Sequence, residues 1–171
     1  MKRIYFIKKI SSLLGVSITS SLVLNSCEIE DEIIDEEVEL TEQELLYNDL
    51  KGKTAESGFF LEKKILYIDI TNKRYSQLNT VGEFINDSEN YVLLLRKTEE
   101  NILALSNCCP HLGTTNRWSY SNGGFRCANH GNSYGTGTGF VSNCSSNSTS
   151  GNLKQYNTEL NQDILKVDFN D

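Results

Sequence analysis

Residues 58–171 predict a small all-β domain, a sandwich or a partly open barrel. Three observations carry the prediction. Short runs rich in β-branched and aromatic residues recur along this part of the chain. Clusters of Gly, Asn and Ser separate them, as turns do. Only Lys73–Ile85 suggests a helical turn, and no repeat at a solenoid or propeller period is present. In order, the expected strands are FFLEK, ILYIDI, YVLLLRK and ILALS, then GGFRC, GTGTGFV, NLKQY and DILKVDF. The stretch SNCSSNSTSGN, residues 142–152, reads as a polar loop.

The residues before 58 divide into two segments. Residues 1–26 read as a signal peptide: Lys2, Arg3, Lys8 and Lys9 precede a short apolar run ending at Leu24. The run is too short and too rich in Ser for a membrane-spanning helix, which needs about 20 apolar residues. Residues 27–57 read as an acidic, flexible tether. Eight of the thirteen residues from Glu28 to Leu40 are acidic, a density that favours a solvated, self-repelling chain. Ile33, Ile34, Val38, Leu45 and Leu46 leave room for a transient helix there.

Charge bounds the partners. The 171 residues carry a formal charge of −7. Without the four bases of the leader, 12 bases face 23 acids, near −11. So acidic a chain repels nucleic acid and anionic lipid head groups, and no nucleic-acid partner is expected.

The candidate chemistry lies between Cys108 and Tyr134. Cys109 and His111 form a Cys-x-His pair, and Cys127 and His130 form a Cys-x-x-His pair. The chain's two histidines are both in these pairs, and its one proline, Pro110, lies inside the first. Thiolate and imidazole together suit iron, zinc or copper. Cys108 reads either as a small buried side chain or as the partner of Cys144. Trp118, Tyr120 and Phe125 read as apolar packing under the loops, and Arg117 and Arg126 as solvated flanking charges.

Two resemblances extend this reading. Leu24-Asn25-Ser26-Cys27 resembles the lipobox of bacterial lipoproteins. It implies cleavage before Cys27 and acylation of that residue with diacylglycerol and a further fatty acid such as palmitate. Several acyl chains on one residue give stable anchoring. The expected location is therefore the bacterial cell envelope, at the outer membrane or cell surface rather than the inner membrane. The acidic run after Cys27 resembles the surface-export signals of such lipoproteins.

Cys109-Pro110-His111-Leu112-Gly113 and Cys127-Ala128-Asn129-His130-Gly131, after a strand ending in ALS, resemble the Rieske [2Fe–2S] domain. The resemblance spans about Leu66 to Phe169. It implies one [2Fe–2S] cluster, with Cys109 and Cys127 on one iron and His111 and His130 on the other. It implies one-electron transfer to or from a redox protein, with a potential coupled to histidine protonation. Centres of this kind lie at about −150 to +300 mV, against about −400 mV for plant-type ferredoxins. Quinol-oxidising members of the family carry a loop-bridging disulfide at the positions of Thr114 and Asn129, so that bridge is absent. Their serine and tyrosine hydrogen-bond donors correspond to Asn132 and Tyr134, so one of the two is kept. The proline-containing third loop of those proteins is replaced by SNCSSNSTSGN. An intermediate potential follows. With both histidines in the pairs, no separate catalytic iron site is expected. The alternative reading is a structural or surface-binding lipoprotein in which one zinc ion staples the loops.

Overall fold

The structure, a computed structural model, describes residues 40–170. The expected signal peptide, Cys27 with its expected acylation, and the first part of the expected tether lie outside the described residues.

The domain is mostly β. One antiparallel sheet has seven strands: β1 (Phe59–Glu62), β2 (Ile65–Asp69), β3 (Phe84–Asp87), β4 (Val92–Arg96), β5 (Ile102–Ser106), β9 (Gln155–Asn161) and β10 (Ile164–Asp168). Their order is β1-β2-β10-β9-β5-β4-β3. The sheet curls into a half-barrel. Its two halves meet through β5 and β9 in a short register, Ala104 opposite Tyr156 and Leu105 opposite Gln155. Between β5 and β9 the chain makes a second sheet of three strands: β6 (Trp118–Ser121), β7 (Gly124–Cys127) and β8 (Ser133–Gly135).

Tight turns set the registers. β1 and β2 are joined by Lys63-Lys64, both at positive φ (50° and 78°), with Glu62 opposite Ile65. β6 and β7 are joined by Asn122-Gly123, again both at positive φ (51° and 77°). Paired positive φ gives a two-residue hairpin whose twist matches the strands, and Asn-Gly is its preferred sequence.

Two cores share strand β4. Leu66 and Ile68 of β2, Leu165 and Val167 of β10, Val92 and Leu94 of β4, and Ile102 and Ala104 of β5 fill the inside of the curl. A 3₁₀ helix, Lys73–Asn79, adds Tyr75 and Leu78 to it. Leu93, Leu95 and Leu105 face the other way, onto Trp118, Phe125, Tyr134 and Leu153. Val92 to Leu95 of β4 are buried for this reason. It explains why VLLL is apolar without alternation: a strand covered on both faces reads as a continuous hydrophobic run.

Several expectations need correction. The tether expected over 27–57 is helical in its second half, where α1 spans Glu42–Thr54. Thr41 and Glu44 form a reciprocal capping box at its start. Leu50 and Thr54 are buried against the sheet, whereas Leu45 and Leu46 are exposed. Lys51 reaches Asp69 at 2.6 Å, and the Tyr47 hydroxyl donates to Asp163 at 2.9 Å. Charge density masked these few specific contacts. GTGTGFV is a loop beyond Gly135 of β8, tied to Asn152 by isolated bridges from Gly135 and Val141 and to Gln155 through the Thr136 and Gly137 carbonyls. The expected helical turn is the 3₁₀ helix and stops at Asn79, leaving Phe84–Asp87 as strand β3.

Candidate metal centre

β5 ends at Ser106 and feeds the first loop; β7 ends at Cys127 and feeds the second. The two loops are built alike. In the first, the Cys109 amide donates to the Thr114 carbonyl and the Gly113 amide returns to the Cys109 carbonyl, both at 2.8 Å. In the second, the Cys127 amide donates to the Asn132 carbonyl and the Gly131 amide returns to the Cys127 carbonyl, both at 2.9 Å. The closing glycine has φ 71° in one loop and 77° in the other. An L side chain is disfavoured there, so each motif needs Gly four residues after its Cys. This backbone chemistry accounts for Cys-x-His-x-Gly and Cys-x-x-His-Gly together.

The loops bring the four candidate residues together as two unlike pairs. Cys109 and Cys127 are each 1 % exposed and belong to the core beneath the loops. Burial, and then the neighbouring Cys109, push the Cys127 thiol up, against the lowering influence of the Asn129 and His130 amides. His130 is exposed and His111 half-buried. Their Nδ1 atoms lie 3.3 Å apart, with the rings edge to face at 4.7 Å between centroids. Among the described residues, no three His, Cys, Asp or Glu side chains converge on one point that could hold an ion. Two sulfurs below and two imidazoles above suit a group with two metal atoms better than one tetrahedral ion, which needs all four ligands around a single point.

This pairing lies inside a matched family model. The Rieske [2Fe-2S] domain model matches residues 69–157, just over half of the chain and inclusive of both motifs. The protein belongs to the Rieske [2Fe-2S] domain family. Membership implies a [2Fe–2S] cluster and, in general terms, electron transfer. No curated protein matches the chain. The match starts at the end of β2 and stops within β9, so α1, β1 and β10 complete this Rieske domain beyond it.

Three connections hold the Rieske loops in place. Cys108 and Cys144 form a disulfide, with Cα atoms 5.4 Å apart. It ties the first loop to residues 142–152. That polar stretch lies along the first loop: amides of Ser145, Ser146 and Asn147 donate in turn to carbonyls of Cys109, Pro110 and His111, at 3.3, 2.7 and 3.0 Å. Thr114 and Asn129, where a loop-bridging disulfide is absent, are joined instead by a hydrogen bond from Asn129 Nδ2 to Thr114 Oγ1 at 2.9 Å.

Tyr134 stands beneath this arrangement. Its hydroxyl donates to the Ser148 carbonyl at 2.7 Å and lies 3.9 Å from the Cys109 sulfur. Burial first, and then the contact with Cys109, push it up to about 12. Trp118 and Phe125 pack edge to face below the loops, with ring centroids 6.3 Å apart. Arg126 donates from Nε to the Gly131 carbonyl at 3.2 Å, and the Arg117 carbonyl accepts from the Ala128 amide at 2.7 Å.

Sequence reasoning missed two participants. Asn107 is fully buried and pins the first loop: its side-chain nitrogen donates to Asn86 and Asn116, and its main-chain carbonyl accepts from the Trp118 indole at 3.0 Å. The backbone of residues 145–147 is the other. A run of small polar residues signals a loop but not its docking site, because main-chain amides carry no sequence signature.

Proposed function

We propose that this protein is a one-electron carrier of the bacterial cell envelope, held there by acyl chains on Cys27. Cys109 and Cys127 would hold one iron of a [2Fe–2S] cluster and His111 and His130 the other. The observation that carries this reading is the separation of buried thiols from exposed imidazoles by two similarly closed loops. Such a cluster, when bound, supplies reversible one-electron chemistry with little rearrangement of its ligands.

The chain's residues provide the rest. The second core keeps water from the cysteine sulfurs. The exposed His130 and half-buried His111 shorten the path to a partner. Tyr134 is placed to share its hydroxyl hydrogen between Ser148 and the Cys109 sulfur, and hydrogen bonds to sulfur ligands raise the potential. Asn132 stands where a second donor would be, which favours a potential between oxygenase-type ferredoxins and quinol-oxidising members. The lipobox-like Leu24-Asn25-Ser26-Cys27 supports tethering, and the acidic run after it supports an outer-membrane or surface location.

The test uses protein isolated from its own membrane. We expect a red-brown colour, equimolar iron and acid-labile sulfide, a reduced-state EPR signal and an intermediate midpoint potential. A colourless, EPR-silent protein with one zinc per chain would overturn the electron-transfer reading in favour of a loop-stapling site. Mass spectrometry of the N-terminal peptide addresses the tether separately: acyl groups on Cys27 support it, and an unmodified Cys27 sinks it.

A further inference from the structure

The charge of the chain is divided sharply. From Asn101 to Thr158 there is no Asp or Glu, and all 23 acids lie outside this stretch. The same residues hold three bases, Arg117, Arg126 and Lys154. They build β5, the three-stranded sheet, both cysteine–histidine loops and the third loop. A protein of net charge −7 therefore carries its candidate metal centre on an acid-free, weakly basic lobe.

The fold puts the Arg126 side chain against the second loop and the Arg117 backbone beside the same loop. Arg126 is exposed, and its bond to the Gly131 carbonyl holds the guanidinium next to the residue that follows His130. Arg117 is exposed, and its carbonyl is bonded to the Ala128 amide of the same loop. Leu112, next to His111, is 52 % exposed and gives the face an apolar spot. Two acids of the half-barrel are paired elsewhere. At the β3–β4 turn, which meets the lobe through Asn107, Asp87 and Glu89 both direct their carboxylates to Arg74, at 3.1 and 2.8 Å.

We propose that the redox partner that meets the histidine face presents an acidic surface to it, steered by Arg126 and Arg117. Charge near a docking patch governs encounter more than distant charge does, because potentials fade over about 10 Å at 0.1 M salt. The acidic remainder of the chain would repel such a partner from every other approach, which restricts productive contact to the face nearest the metal centre.

The inference rests on the electron-transfer reading, and the two can fail separately. The experiment is stopped-flow oxidation of the reduced holoprotein by two one-electron oxidants of opposite charge, hexacyanoferrate(III) and tris(phenanthroline)cobalt(III). In each case one electron leaves the protein, the oxidant falls to iron(II) or cobalt(II), and no bond or proton is exchanged. Local steering predicts that the anionic oxidant slows as salt rises, by about tenfold from low to high ionic strength. The net charge of −7 predicts the reverse. R117E and R126E should each weaken or invert the salt dependence with hexacyanoferrate(III). A hexacyanoferrate(III) rate that rises with salt in the wild-type protein overturns the proposal. So does a wild-type salt dependence that persists in R117E, should R126E lose its colour. A colourless wild-type protein would instead defeat the electron-transfer reading itself.

Discussion

The core inside the curl and the core beneath the loops share β4 but are held in different ways. The first is mostly aliphatic, with Leu66, Ile68, Leu94, Leu165 and Val167 drawn from strands on both halves of the sheet. Buried area stabilises it, at roughly 25 cal/mol per Å² of apolar surface. The second contains Trp118, Phe125, Tyr134 and two cysteines, under loops made mostly of small and polar residues. Those loops are fixed by discrete links: one disulfide, three consecutive backbone hydrogen bonds from residues 145–147, and the Asn107 hub. A redox site needs thiols shielded and imidazoles exposed within a few residues, and a purely apolar core does not supply both.

The strongest way to test the difference is to remove one imidazole. His130→Ala should abolish visible absorption entirely while leaving far-UV circular dichroism of the half-barrel near wild type, because His130 is exposed and packs no core. Loss of the β signal along with the colour would show that the half-barrel depends on the site.

Cutting the disulfide comes next. Cys108→Ala/Cys144→Ala releases a link across 36 residues, worth about 4 kcal/mol in the chain-entropy picture. Hydrogen exchange should rise most at the amides of residues 108–114 and 145–147. A uniform rise that includes β2 and β10 would mean that the two regions unfold as one unit. Leu165→Ala, at about 2–5 kcal/mol, is the counterpart inside the curl and should lower protection throughout.

A smaller effect is expected at Tyr134. Tyr134→Phe removes the donor to Ser148 and the contact with Cys109, at about 1 kcal/mol. If that energy favours the reduced state, the midpoint potential falls by roughly 40 mV for one electron. An unchanged potential with unchanged stability would assign Tyr134 to packing alone.

The gentlest probe is acid. Burial raises the Asp69 carboxyl, but hydrogen bonds from Lys51 and Thr71 outweigh it and hold the group below its ordinary value. A lowered folded value means that this contribution is present above the ordinary carboxylate value, about 4, and lost as pH falls through the folded one. Acid titration should therefore loosen α1, seen as faster exchange in residues 42–54, before the colour changes. Simultaneous loss would argue against an independently tied helix.

Much of the site was legible beforehand. Cysteine and histidine spacing gave the two pairs, because metal ligation constrains side-chain identity at fixed intervals. The β-branched and aromatic runs, and the Gly, Asn and Ser clusters between them, gave most strands, because local backbone preferences show in composition. Strands β3, β6 and β8 and helix α1 were not legible. Phe84–Asp87 is short, and Trp118–Ser121 looks like an aromatic insert until it pairs with β7. The helix sits in a charge-rich segment where only Leu50 and Thr54 are buried.

The sequence by itself determined which four residues can bind metal, that Gly113 and Gly131 close their loops, and where the acids are missing. Tertiary structure alone decided that Cys108 meets Cys144, that Thr114 meets Asn129, and that residues 145–147 lie along the first loop. The reason is physical. Ligand spacing and positive-φ glycines are local properties, carried by neighbours in the chain. A disulfide across 36 residues or a main-chain amide bonded to a distant carbonyl depends on how the half-barrel and the three-stranded sheet bring those segments into contact.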